Sequence, residues 1–109
     1  MIGNVNNLRK LIAKVESDEK EYAVLTTHFG YLMKERIKVT QNSLRAALGR
    51  PEVNLDKAKI LDSVKTINEI ATDKGVDFHI DEEWSSVEAF LRLSIMEDIA
   101  GEFDKQANR

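Results

Sequence analysis

Asp77, His79 and Asp81 are the residues of this chain best suited by type and spacing to carry chemistry. In an extended segment alternate residues share a face, so these three line up opposite Val76, Phe78 and Ile80. Two carboxylates flanking an imidazole can ligate a divalent metal or tune the histidine as an acid–base group, with Glu82 or Glu83 as a further ligand. A connector laid over a core shows water the same polar face, and no metal-binding motif surrounds the trio. The expectation is therefore a solvated face, with no metal and no other cofactor.

Glu21, His28 and Glu35 form a second set, seven residues apart and so on one helix face. Seven helical residues rise about 10.5 Å, too far for a single ion to reach all three without ligands from other helices. Leu25, three residues before His28, stands where a carboxylate-bridged di-iron bundle places a Glu. These residues are expected at the boundary of an amphipathic helix. No serine sits in a glycine elbow, and the five glycines (3, 30, 49, 75 and 101) are too scattered for a phosphate loop. No enzyme is expected.

Thr40-Gln41-Asn42-Ser43-Leu44-Arg45-Ala46-Ala47-Leu48-Gly49-Arg50 resembles the first helix and turn of a helix-turn-helix module. The resemblance implies DNA contact by Arg45, Arg50, Lys57 and Lys59. It covers about eleven residues; Pro51 and Glu52 then lengthen the turn beyond the usual three or four. A DNA-binding regulator using residues 40–65 is thus the alternative function. Lys34, Arg36 and Lys38 beside Met33, Ile37 and Val39 give only a weak membrane-surface pattern, interrupted by Glu35, and no membrane contact is expected.

The elements that must position these residues are helices. Val5, Leu8, Leu11, Ile12 and Val15 make one helical stripe over about 5–16, with Asn4 or Asn6 as N-cap. Asp18 with Glu21 has the spacing of a second helix start, although no Gly or Pro separates the two segments and one bent helix stays open. From Asp18 to Leu48 only Gly30 interrupts, and Gly49 and Pro51 end the run. Tyr22, Leu25, Phe29 and Leu32 form one stripe there; Met33, Ile37, Leu44 and Leu48 form another, rotated from it. That rotation implies a bend at Thr40–Ser43 or two faces packed against different neighbours. A third helix is expected from about 55 to 74, capped by Asn54 and burying Leu55, Ala58, Leu61, Val64, Ile67 and Ala71. After the extended connector at 76–80, a last helix should start between Asp81 and Ser85. Ser85 and Glu88 would form a capping box, with Trp84 and Ala89 as staple. Val87, Phe90, Leu91, Ile95, Ile99 and Phe103 would be its core face, widened by Leu93, Met96 and Ala100.

The expected architecture is all-α: one domain spanning 1–109, a compact bundle of four to five helices with one long second helix. The chain has no cysteine, which removes thiol chemistry and zinc-thiolate sites. No apolar run approaches a membrane span, and Met1–Val15 lacks a secretory signal's apolar stretch, so a cytoplasmic protein is expected. Charge is segregated: residues 34–65 carry eight bases against four acids, and 66–109 carry four against eleven. Those two parts could attract one another within the fold or across a homodimer. The overlong second helix and the wide apolar face of the last one ask for a neighbour. The leading expectation is a protein acting by protein–protein contact, as a regulator, adaptor or neutralising partner, and forming a homodimer.

Overall fold

A computed structural model describes residues 5–93 and 95–107 of the chain. The described residues form five helices and no strand: α1 (Val5–Val15), α2 (Glu19–Ala47), α3 (Lys57–Asp73), α4 (Trp84–Arg92) and α5 (Ile95–Ala107). The stripe of α1 is fully buried at Leu8, Leu11, Ile12 and Val15. Asn6 lies inside α1 rather than capping it, and Asn4 is outside the described residues.

α1 and α2 are separate helices. The chain turns at Glu16–Ser17, and the Asp18 carboxylate accepts hydrogen bonds from the Lys20 and Glu21 amides, capping α2. Glu21 is not a reciprocal cap; it pairs with Lys74 of α3 at 2.6 Å. α2 runs without interruption through Thr40–Ser43. Its 29 residues span about 44 Å at ~1.5 Å each, which accounts for the molecule's 48 Å long axis. The other four helices all pack on it.

α2 and α3 each end on a glycine with positive φ, +67° at Gly49 and +68° at Gly75. In each the next amide reaches back five residues, Arg50 to Arg45 and Val76 to Ala71, which closes the last turn. α3 starts later than expected, on the Asp56 carboxylate rather than Asn54. Its buried face is also rotated: Ile60, Ser63, Val64, Ile67, Asn68 and Ala71 face inward, while Ala58 is exposed and Leu55 and Leu61 are half-buried. α3 returns antiparallel along α2, held through His28–Ser63 in its middle, with Glu21–Lys74 just past its end and Asn42–Val53 in the connector before it.

The expected last helix is two helices. Leu93 is extended (φ −76°, ψ 149°), and its amide bonds back to Phe90. The Ser85–Glu88 capping box does not form; Glu83 precedes α4 without a side-chain cap, and Ser85 Oγ donates to Glu83 Oε1. Splitting the helix lets both halves bury their apolar residues: Val87, Phe90 and Leu91 from α4, Met96 and Ile99 from α5. α5 runs antiparallel to α2, with Phe103 5.3 Å from Phe29 and Glu97 3.6 Å from Arg36.

Candidate functional site

The connector at 76–80 lies as its alternation predicts, with Phe78 and Ile80 buried and Asp77, His79 and Asp81 exposed. A buried asparagine explains why it stays extended. Asn68 of α3 donates to the Ile80 carbonyl (2.7 Å) and accepts from the Ile80 amide (2.9 Å), so its side-chain amide takes the place of a neighbouring strand. The three polar residues are used separately. The Asp77 carbonyl accepts from Asn7, the Asp81 carboxylate accepts from the Glu83 amide and Ser86 Oγ, and His79 lies in a shallow cleft with Glu69, Asp73 and Glu82. Among the described residues no three His, Asp or Glu side chains converge on one point.

Glu21, His28 and Glu35 lie along the α2–α3 seam. Glu21 pairs with Lys74, and His28 Nδ1 is 3.0 Å from Ser63 Oγ. Glu35 is 6% exposed; its Oε2 has no hydrogen bond, and Lys38 Nζ stands 3.5 Å from it. Burial first, and then the negative charges of Glu35 and Asp56, hold the neighbouring Tyr31 hydroxyl above its ordinary pKa. The His28–Ser63 pair has a nucleophile's spacing but not its setting. Ser63 is buried in mid-helix, where the backbone amides are committed to the helix and none is free to hold an oxyanion.

The bases named for DNA contact are spread over the far end of α2 and the start of α3. Arg45 donates to the Pro51 carbonyl at 3.3 Å. Lys57 Nζ lies 5.2 Å from the Trp84 ring centre, and Lys59 Nζ lies 4.7 Å from that of Tyr31. Arg50 is exposed beyond the α2 cap. Thr40 does not begin a helix, and the antiparallel pairing of α2 with α3 differs from the 90–120° crossing of a helix-turn-helix.

The feature that the fold leaves uncovered is an apolar stripe on α2. Ile37 (63%), Leu44 (63%) and Leu48 (59%) are exposed, and Met33 is half-buried at the head of the row. At 100° per residue these four fall within an arc of about 60° along ~22 Å of helix. Met33 packs on the edge of the core, but beyond it the rotated stripe stays exposed among the described residues, while Val39 and Asn42 take the buried positions instead. Alongside Met33 the row opens into an apolar cleft of about 210 Å³ between α2 and α5, walled by Phe29, Gly30, Ile99 and Phe103, with Asp104 on its rim. The end of α4 is tied to the flank of α2 beside the stripe: the Leu91 carbonyl accepts from Arg36, and Arg92 donates to Ser43; Leu93, which follows, is 45% exposed. The sequence carried this signal as a second stripe out of phase with the first.

No protein-family model, curated protein or solved structure matches this chain. No helix among the described residues is long and apolar enough to cross a membrane.

Proposed function

We propose that this chain is a protein–protein interaction module of the cytoplasm, a regulator, adaptor or neutralising partner that works without catalysis. The observation that supports this reading is the row of Ile37, Leu44 and Leu48, each about 60% exposed on one face of the longest helix. Isolated exposed leucines are ordinary, but an aligned row continuing into an apolar cleft is the kind of surface that a partner covers. Affinity capture with the wild type and with Leu44→Asp tests it, followed by mixing the purified components. A partner held by the wild type and released by Leu44→Asp supports the reading; equal capture by both removes it.

DNA binding by Arg45, Arg50, Lys57 and Lys59 is the second reading, favoured by the eight bases within residues 34–65. A mobility shift at low salt that Arg45→Ala with Arg50→Ala abolishes would support it over the first. No shift on mixed-sequence DNA would dismiss it.

A further inference from the structure

We propose that a second copy of this chain covers the exposed face of α2. Its own α2 lies antiparallel across the first, with the two-fold axis between Thr40 and Gln41. This rests on the interaction-module reading and names the partner.

The spacing of the stripe supplies the first reason. Met33, Ile37, Leu44 and Leu48 are separated by four, seven and four residues, a pattern that reads the same in both directions. Reversal about its midpoint sets Met33 against the partner's Leu48 and Ile37 against the partner's Leu44, which is the self-complementarity a two-fold interface requires. The same register brings the partner's Leu48 to the mouth of the cleft formed by Phe29, Gly30, Met33 and Phe103. A cavity of about 210 Å³ and an exposed leucine with no pocket of its own are thus matched by one symmetry operation.

Charge supplies the second reason. Arg45 in the last turn of α2 and Arg50 just beyond its cap are both exposed, and the cleft they would reach is lined by Asp104. Each copy then brings exposed arginines to the edge of the other's α5, where Asp104 is exposed beside the cleft. The segregation of charge along the sequence becomes complementarity between copies. Lys34 comes near the partner's Arg45, a like-charge contact that weakens the pair. A stripe ~22 Å long and one helix (~10 Å) wide is also a small interface, below the ~1,200 Å² that separates transient from stable pairs. The dimer is weak and concentration-dependent.

The absence of cysteine makes a clean test. Gln41→Cys places a thiol beside the two-fold axis, and a short bismaleimide should join two chains through it. Leu48→Cys alone should stay unlinked, because the two thiols would sit about 22 Å apart. Mixing the Leu48→Cys and Met33→Cys proteins should restore cross-linking between chains. Light scattering from low-micromolar to submillimolar concentration should show a monomer–dimer equilibrium that Leu44→Asp weakens about tenfold or more. Unchanged thermal melting of that variant would show that its fold is intact. Cross-linking of Leu48→Cys to itself would overturn the antiparallel register, and a dimer indifferent to Leu44→Asp would overturn the surface. A monomer at every concentration, with no Gln41→Cys product, overturns the proposal but spares the interaction reading if a purified partner still loses binding on Leu44→Asp. If the stripe variants alter neither self-association nor any partner's binding, both fall.

Discussion

Two buried asparagines hold the long connectors to the bundle. Asn68 (5% exposed) brackets Ile80, and Asn42 (6% exposed) brackets Val53 in the same way, accepting from its amide at 2.6 Å and donating to its carbonyl at 2.9 Å. Asn68→Ala removes both partners of a backbone unit sealed from water, with Ile80 1% exposed, at a cost of about 2–4 kcal/mol. Asn42→Ala should cost less, about 1 kcal/mol, because Val53 is only half-buried and water can take over its bonds. Urea unfolding of the two variants checks the order; equal losses would mean that the burial of the bracketed residue does not set the cost. Neither role was legible in the sequence. Asn42 read as one of four short polar residues at a bend, since nothing local says which connector will lie over a side chain. The exposure of Asp77, His79 and Asp81 was legible, because an alternating pattern depends only on which side of the segment meets the core.

Helix limits were readable where a local device sets them and unreadable where packing does. The Asp18 cap and the Gly49 and Gly75 stops are short-range chemistry and stand where the sequence put them. The break at Leu93 has no glycine or proline beside it; it lets α4 and α5 turn Leu91 and Met96 into one core. Gly30 and Gly75 give a contrast in sign. Gly30 lies mid-helix, and a Cβ added there meets nothing within 4 Å, so Gly30→Ala should stabilise the fold by about 0.5–1 kcal/mol. Gly75 also has room for a Cβ but sits at φ +68°, where a side chain is strained whatever the space. Gly75→Ala should therefore destabilise by about 1 kcal/mol. Thermal melting of the pair checks both signs, and a stabilising Gly75→Ala would contradict the left-handed cap.

Across the whole molecule, ion pairs join parts of the chain that the sequence keeps apart. The basic middle meets the acidic end through Arg36–Glu97, while the charge-neutral start meets that end through Arg9–Glu102 at 2.9 Å, fastening α1 to α5. The segregation of charge was legible in the sequence, but these pairings depend on α5 folding back beside both α2 and α1. Glu102 is 6% exposed, so its ionisation is linked to folding. The hydrogen bond from Arg9 chiefly, helped by the charges of Arg9 and Lys105, holds its carboxyl below the ordinary carboxylate range despite burial. A depressed folded-state pKa means that the unfolded chain takes up the proton first. The stabilisation is then complete above the unfolded value of ~4.3 and is lost as the pH falls through the lower folded one. Melting temperature should hold from neutrality to about pH 5 and drop steeply below about pH 4. Glu102→Gln should start lower at neutral pH and fall less steeply in acid. Some acid slope should persist in that variant, because the amides that Asp18 caps hold its carboxyl low as well, the Glu21 amide most of all. Parallel melting curves for Glu102→Gln and the wild type down to pH 3 would show that the Arg9 pair does not couple the two ends of the chain.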